Sequence, residues 1–190
     1  MLAIGAAHRK IDVVDAMTGA RIRQLSGHTG AVRTLAFSCD GTRLASGCKG
    51  RSVRYWDAQS GAQLSVQDTQ HTKEVTSLQF SPCGRTLCSA GKDGDVVLWW
   101  AGDELVLRGV LPDAKFVGND VMRVQFSADG EAIAAIREYG NVTLWGIESQ
   151  ERLLVIKDNT APDGIHFSCD SRTFATGRKS RIVLWDVPSG

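Results

Sequence analysis

The sequence lacks most of the features that mark disulfide-rich, membrane-spanning or nucleic-acid-binding chains. Its 190 residues include five cysteines, an odd number, and no two of them form a C-x-x-C pair. We therefore expect neither a disulfide framework nor a zinc site, and we interpret the cysteines as reduced thiols of an intracellular protein, cytoplasmic or nuclear. No stretch approaches the ~18 apolar residues of a membrane span. The formal net charge is only +1, so bulk electrostatics favours neither polyanions nor membranes.

Helical periodicity is also missing. No segment of helical length carries apolar residues at an interval of 3.6, which excludes a substantial amphipathic helix. The chain has four prolines against 20 glycines, and this ratio indicates many tight turns. The composition therefore points towards short strands joined by turns.

What the chain does contain is a pattern that repeats about every 43 residues. The stretch SAGKDGDVVLWW at 89–100 has counterparts at 46–57, 135–146 and 176–186. A phenylalanine precedes the tryptophan of each copy by 18 or 19 residues. The pairs are Phe37 and Trp56, Phe80 and Trp99, Phe126 and Trp145, and Phe167 and Trp185. A period of this length indicates an array of one supersecondary unit.

Each repeat is predicted to form four short strands. In the first strand of three copies the apolar residues are spaced by three and then two, as at Val32, Leu35 and Phe37. One extra residue in an alternating strand gives this spacing, so we expect a β-bulge there. The third strand of each copy, such as VVLW at 96–99, is apolar on both faces and should be buried on both sides. Small antiparallel sheets that need cover on both faces obtain it by stacking radially, as in a β-propeller.

The sequence resembles the WD-repeat β-propeller family. The resemblance rests on GH at 27–28, on WD at 56–57 and 185–186, and on the blocks LASG and FSPCG, all in register with the repeat. Blades of this family carry a hydrogen-bonded tetrad of His, Ser or Thr, Asp and Trp. The resemblance implies one complete structural tetrad, formed by His71, Ser89, Asp93 and Trp99.

The other copies match the tetrad only in part. The resemblance implies partial tetrads at His28, Ser46 and Trp56, and at Thr176 and Trp185. Gly50 stands where the first copy should have Asp, while the third copy has Val117 at the His position and Tyr139 at the Asp position. We expect these blades to be held less rigidly. Trp100 breaks the WD pattern, and we assign it only a surface or interface contact.

We predict a single all-β domain, a β-propeller of four-stranded antiparallel blades with about four and a half blades present. The predicted units are a partial blade at 1–26, repeats at 27–69 and 70–115, a degenerate repeat at 116–157 and a repeat lacking its last strand at 158–190. The resemblance implies seven blades in a closed ring. Three explanations stay open: a fragment of a longer protein, which we favour, a smaller ring, or two chains that share a ring. An open array exposes apolar faces and strand edges, which invites self-association.

The residue types of the complete tetrad also match a catalytic triad, but we interpret them as structural. A nucleophilic serine must be exposed beside an oxyanion hole, whereas Ser89 lies in the apolar context LCSAG without a G-x-S-x-G elbow. No glycine-rich phosphate loop occurs, and we interpret His8 and His166 as surface or hydrogen-bonded histidines. We therefore expect no enzymatic activity, no cofactor and no metal.

The resemblance implies a scaffold that binds peptides or protein surfaces within a multiprotein complex. Binding would use the face that carries the turns between second and third strands and the loops that lead into the first strands. The candidate positions on this face are Ala31, Arg33, Lys49, Glu74, Thr76, Lys92, Asp120, Met122, Glu138 and Asp163. The alternative is a component of a ribonucleoprotein or chromatin-associated complex, with a propeller hydrolase as a weaker third hypothesis. Acidic residues balance the basic turns GRKSR and CKGR, so we do not expect direct nucleic-acid binding.

Overall fold

The structure, a computed structural model, describes residues 1–5, 9–112, 120–157, 164–178 and 181–188. These residues form strands, turns and bends, and none of them lies in a helix. The strands belong to five antiparallel sheets of three or four strands, paired in the order in which they follow one another along the chain. The fold class expected from the sequence, an all-β propeller of four-stranded antiparallel blades, is confirmed.

We number the sheets as blades 1 to 5. Blade 1 consists of β1 (Leu2–Gly5), β2 (Lys10–Val14) and β3 (Arg21–Ser26). Blade 2 consists of β4 (Val32–Phe37), β5 (Arg43–Cys48), β6 (Val53–Asp57) and β7 (Gln63–Gln67). Blade 3 consists of β8 (Val75–Phe80), β9 (Thr86–Gly91), β10 (Val96–Ala101) and β11 (Leu105–Val110).

The remaining two blades complete the array. Blade 4 consists of β12 (Val121–Phe126), β13 (Ala132–Arg137), β14 (Val142–Gly146) and β15 (Arg152–Ile156). Blade 5 consists of β16 (Gly164–Phe167), β17 (Thr173–Arg178) and β18 (Arg181–Asp186). The repeat boundaries proposed from the sequence stay a prediction, because residues 113–119 and 158–163 lie outside the described residues.

The bulge predicted in the first strands is present. The pairing register with the second strand shifts between Val32 and Thr34 in blade 2, and blades 3 and 4 show the shift at the equivalent places. A second register shift, beside the tryptophan of β6, β10 and β14, was not predicted. It lies between the third strand and the outer strand, where the sequence alternates too weakly to reveal an extra residue. Both shifts add local twist to the blade.

The hydrophobic core consists of layers between neighbouring blades. Between blades 2 and 3, Val53 and Tyr55 of β6 pack against Leu78 and Phe80 of β8, together with Trp99. Equivalent clusters lie between blades 1 and 2, blades 3 and 4, and blades 4 and 5. The predicted burial of the third strands on both sides is confirmed in blades 3 and 4, where β10 and β14 are buried at their first four positions.

Polar side chains of the first strands connect the blades near their inner edge. The Leu78 amide donates to the Thr34 hydroxyl at 3.1 Å, from blade 3 to blade 2. The Val124 amide donates to the Ser77 hydroxyl at 3.2 Å, and this bond links blade 4 to blade 3 in the same way. Each first strand is the edge strand of its sheet, so amides that point away from the second strand have no partner in their own sheet, and the neighbouring blade supplies the acceptor.

The two ends of the described array are open. Leu184 of β18 is 72% exposed, whereas Tyr55 and Leu98, at the equivalent positions of β6 and β10, are almost completely buried. On blade 1, Leu2 and Ile4 are exposed in the same manner. The same apolar strand pattern is therefore buried where a neighbouring blade covers that face and exposed where none does.

Because one end of the array is open, we expect that truncating the leucine before the tryptophan destabilises the protein more in blade 3 than in blade 5. Replacing Leu98 with Ala should lower the free energy of unfolding by about 2–5 kcal/mol, because the cavity would lie between blades 3 and 4. The matched variant Leu184→Ala should change it by less than about 0.5 kcal/mol. Urea denaturation followed by tryptophan fluorescence measures both. Similar losses in the two variants would contradict the packing described here.

Candidate functional site

The structure connects the four residues of the complete tetrad in blade 3. The Trp99 indole nitrogen in β10 donates to the Ser89 hydroxyl in β9 at 2.9 Å. Ser89 Oγ lies 2.8 Å from Nε2 of His71, whose Nδ1 donates to Oδ2 of Asp93 at 3.0 Å. The chain of bonds runs from the middle of the sheet to the turn between β9 and β10. His71, in the loop before β8, is thereby fixed to the hairpin turn.

Asp93 fixes the backbone of the same region. Its carboxylate also accepts from the Thr72 amide at 2.7 Å and from the Asp95 amide at 3.2 Å. Burial raises the pKa of Asp93, but the hydrogen bonds from His71 and from these amides outweigh burial and hold the pKa below its usual value. Gly91 must be glycine here, because a Cβ would lie 2.6 Å from Asp93 Oδ1 and 2.9 Å from His71 Nδ1.

Blade 2 builds a similar chain without the aspartate. The Trp56 indole nitrogen donates to the Ser46 hydroxyl at 2.8 Å, and this hydroxyl lies 2.7 Å from Nε2 of His28. The Ser52 hydroxyl, 3.3 Å from Nδ1 of His28, occupies the place of the missing carboxylate. The pattern of the repeat did not indicate Ser52, which lies two residues after Gly50 rather than at the Asp position.

The loss of the carboxylate changes the acid–base behaviour of this histidine. Burial, with a smaller contribution from the charge of Arg54, lowers the pKa of His28 to about 4. The imidazole is therefore neutral at neutral pH, and its two ring nitrogens are matched by hydroxyl groups rather than by a charge.

Blade 4 holds its tryptophan by another partner. The Trp145 indole nitrogen donates to the backbone carbonyl of Pro112 at 2.9 Å, because Ala135 stands where a serine would be. Buried Arg137 reaches back to blade 3, where it donates to the Gly94 carbonyl at 3.2 Å. Burial lowers the pKa of Arg137 to about 10, and the nearby charge of Asp95 opposes this shift.

Blade 5 follows the expected partial pattern. The Trp185 indole nitrogen donates to the Thr176 hydroxyl at 2.9 Å. Val117, the third copy's counterpart of the tetrad histidine, lies outside the described residues, and so does His8. Tyr139, at the Asp position of blade 4, is exposed in its turn.

The candidate partner-binding residues lie together at one end of three adjacent blades. In each of these blades the turn between the second and third strands is joined by a backbone hydrogen bond to the residue that precedes the first strand. The bonds run from Lys49 N to Ala31 O, from Lys92 N to Glu74 O and from Glu138 N to Asp120 O, at 2.9–3.0 Å. We call this end the turn face. Its members among the described residues are Ala31, Arg33, Lys49, Glu74, Thr76, Lys92, Asp120, Met122 and Glu138. Asp163 lies outside the described residues.

Not every residue of the turn face offers its side chain to solvent. Glu74 is largely buried between two cations: it accepts from Arg33 of blade 2, and Nζ of Lys92 lies 3.1 Å away. Burial raises the pKa of Glu74, while the bonds from Lys92 and Arg33 lower it further than burial raises it. The Thr76 hydroxyl donates to the Ala90 carbonyl at 3.1 Å. The side chains that remain exposed include Arg33, Lys49, Met122 and Glu138.

The surroundings of the tetrad serine do not suit nucleophilic catalysis. Ser89 is completely buried, and its hydroxyl is engaged by both Trp99 and His71. Over the described ranges, no three His, Cys, Asp or Glu side chains come together as metal ligands. His166 pairs through Nδ1 with the Gln125 amide at 3.3 Å. A search of the same ranges for a helix long and apolar enough to span a membrane finds none.

The buried, neutral His28 predicts a specific pH dependence. Between pH 6.5 and about 4 the unfolded chain binds a proton at this side chain that the folded chain does not, so the free energy of unfolding should fall as the pH drops through this range. The contribution is about 3 kcal/mol at most. In a His28→Gln variant, urea unfolding measured from pH 7 to pH 4 should show a smaller loss. If wild type and variant lose stability in parallel, His28 is not the group that titrates.

Comparison with known proteins gives the same pattern of repeats. A family model described as WD domain, G-beta repeat matches residues 19–57 and 63–99. The chain is 31% identical over 243 residues to WD repeat and SOCS box-containing protein 1 of Takifugu rubripes, covering 99% of this chain and 56% of that protein. It is 30% identical over 135 residues to small ribosomal subunit protein RACK1y of Oryza sativa subsp. japonica, covering 69% of this chain and 39% of the relative.

A third relative is the guanine nucleotide-binding protein subunit beta of Nicotiana tabacum, 31% identical over 136 residues that cover 68% of this chain and 36% of that protein. The chain thus spans about half the length of these relatives, or less. The matched repeats end at Asp57 and Trp99, in the third strands of blades 2 and 3. With five antiparallel sheets in register and the repeated tryptophan–serine bond, the chain belongs to the WD-repeat family.

Proposed function

We propose that this chain is a non-enzymatic scaffold that binds peptides or protein surfaces through the turn face, as part of a multiprotein complex. The observation that carries the proposal is the backbone bond repeated in blades 2, 3 and 4. It sets the same two positions of each blade side by side, so that side chains from three blades form one continuous surface. Two relatives support this proposal, because their names describe them as a ribosomal subunit protein and as a subunit of a guanine nucleotide-binding protein.

The chemistry of the turn face suits a ligand of mixed charge. Exposed cations lie on blade 2, at Arg33 and Lys49, whereas blade 4 contributes the acidic Glu138. Met122, 49% exposed, lies on blade 4 as well. A flexible thioether next to charged groups packs well against varied apolar side chains. We propose that a bound peptide directs acidic residues towards blade 2 and an apolar residue towards Met122.

The test uses side chains that take no part in the ion pairs of Glu74. Reversing Arg33 and Lys92 would leave Glu74 surrounded by acids and would disturb the fold as well as the surface. We therefore choose Lys49→Glu with Met122→Asp, and Arg85→Glu with Met17→Asp, in turns at the opposite end of the blades, as a matched control, since all four side chains are exposed. The tagged variants are compared by quantitative affinity purification and mass spectrometry.

The proposal predicts that a defined set of co-purifying proteins is lost, at least about tenfold, in the turn-face variant and retained in the control. A tenfold loss corresponds to the removal of one or two moderate contacts at an interface. Retention of the full set by the turn-face variant would reject this face as the binding surface. Circular dichroism of both variants shows that the β-structure is intact.

One relative favours a second candidate function. Because that protein is named as a protein of the small ribosomal subunit, we also consider a component of a ribonucleoprotein or chromatin-associated complex that joins through protein partners, in the cytoplasm or nucleus. A salt-dependent shift of RNA in a native gel would instead indicate direct contact with phosphates. Ser89 is buried and its hydroxyl is hydrogen-bonded to two side chains, which gives no support to the hypothesis of a propeller hydrolase.

A further inference from the structure

A cleft of about 460 Å³ lies between blades 4 and 5. It is lined by the turns between first and second strands of both blades and by the turn between β14 and β15. Successive turns of an antiparallel sheet alternate between its two ends, so the cleft lies at the end opposite the turn face. Its apolar lining comes from Ala132, Ile147, Leu153 and Val187.

Blade 4 lacks an ion pair that blade 2 has at the corresponding place, where the cleft between blades 2 and 3 is smaller, about 220 Å³. In blade 2, Arg43 and Asp57 are cross-strand partners, and NH1 of Arg43 lies 2.8 Å from Oδ2 of Asp57. The equivalent cross-strand partners in blade 4 are Ala132 and Gly146. A methyl group and a hydrogen atom thus replace two long charged side chains, and both of these residues line the cleft.

Blade 3 fills the same place in another way. Its cross-strand partners are Thr86 and Trp100, and the guanidinium of Arg108 on β11 lies 4.2 Å above the Trp100 ring. Arg108 also donates to the Thr86 hydroxyl at 3.1 Å and to the Ile147 carbonyl at 3.3 Å. This accounts for Trp100 as a surface contact supported by an arginine. Blades 2 and 3 therefore each place an arginine at this position, whereas the cross-strand pair of blade 4 leaves the larger cleft.

The rim of the cleft is negatively charged. Its lining includes four acidic residues, Asp129, Glu131, Glu148 and Asp170, of which Glu148 is paired with Arg108 of blade 3. Arg172 is the one cation among the described lining residues. Asp129 and Asp170 are fixed by their own turns, since Oδ1 of each accepts from a serine hydroxyl two residues earlier. Burial raises the pKa of Asp129, but hydrogen bonds from Ser127 and the Glu131 amide bring it below its usual value. Hydrogen bonds from Ser168 and the Arg172 amide lower the pKa of Asp170.

We propose that this cleft docks a short cationic peptide segment of a partner protein, which places one aliphatic side chain on the apolar floor and lysine or arginine side chains against the acidic rim. The volume falls in the range of small-ligand sites, and it suits one bulky side chain with its flanking backbone. Because the rim is acidic, the peptide residues that flank the aliphatic side chain should be positively charged. The site lies at the end of the blades opposite the turn face, so it is independent of the function proposed above.

A graft of the blade 2 ion pair provides the central test. The variant Ala132→Arg with Gly146→Asp recreates the pair of Arg43 and Asp57 and fills the cleft with protein atoms. In blade 2, Asp57 Oδ1 accepts from the amide and the hydroxyl of Ser60, both at 2.7 Å. Blade 4 already has Ser149 at the equivalent place, where its Oγ lies 2.7 Å from the position of a Cβ on Gly146. The serine hydroxyl can rotate towards the new carboxylate, so the graft should fold.

The binding experiment uses three fluorescein-labelled, end-capped peptides of sequence KKLKK, KKSKK and EELEE. Fluorescence anisotropy measures their affinity for the chain at low and at physiological ionic strength. KKLKK should bind saturably, more tightly at low salt, and more tightly than either of the other two. The graft should weaken this binding by about tenfold or more, since it fills the apolar floor while its Arg and Asp leave the net charge of the cleft unchanged.

Single charge reversals on the rim and away from it complete the test. Glu131→Lys should weaken KKLKK about threefold or more, while Glu151→Lys, exposed and outside the cleft lining, should leave the affinity within about twofold. A photoreactive leucine in KKLKK should crosslink to segments 127–153 or 170–188. Absence of binding, equal binding of KKLKK and KKSKK, full binding by the folded graft, or crosslinks confined to the turn face would each overturn the proposal.

Discussion

Every blade of this chain depends on its neighbours to keep water from two apolar sheet faces. The third strand of a blade, such as β10, is apolar on both sides, and a four-stranded sheet is too small to cover itself. Burial between blades supplies the cover, as the cluster of Tyr55, Phe80 and Trp99 shows. Where no following blade lies, as at Leu184, the same pattern is exposed. Mutual burial thus determines which residues are core, and the other interactions adjust to it.

Polar groups buried by this packing need hydrogen-bond partners inside the protein, and these partners differ from blade to blade. Blade 3 closes its chain with a carboxylate, blade 2 with Ser52, and blade 4 with a carbonyl of Pro112. The tryptophan indole is satisfied in each case, so the tryptophan position is kept while its partners vary. A buried donor without a partner would cost about 1–3 kcal/mol, which explains the substitutes in blades 2 and 4.

Much of the fold followed from spacing alone. The repeated interval between Phe80 and Trp99 predicted the blades, and the offset apolar residues at Val32 and Leu35 predicted the bulge. Ser52 was missed because it lies two residues after Gly50, the position where the family has the carboxylate. A position-by-position comparison of the repeats does not include such a shifted substitute. Arg137 was missed because its partner, the Gly94 carbonyl, belongs to another blade, and side-chain reach across a core is not encoded in local periodicity. The sequence does contain an indication of the cleft, because Gly146 stands where the WD pattern has Asp.

Native-state amide hydrogen exchange tests most directly whether blades are held by mutual burial. β9 and β17 are equivalent second strands, each hydrogen-bonded to a strand on both sides, but only β9 lies in a sheet with a described blade on either side. The account predicts much slower exchange in β9 than in β17, because opening β9 must expose two buried faces. Equal protection of the two strands would show that hydrogen bonding within a blade is sufficient and would contradict the account.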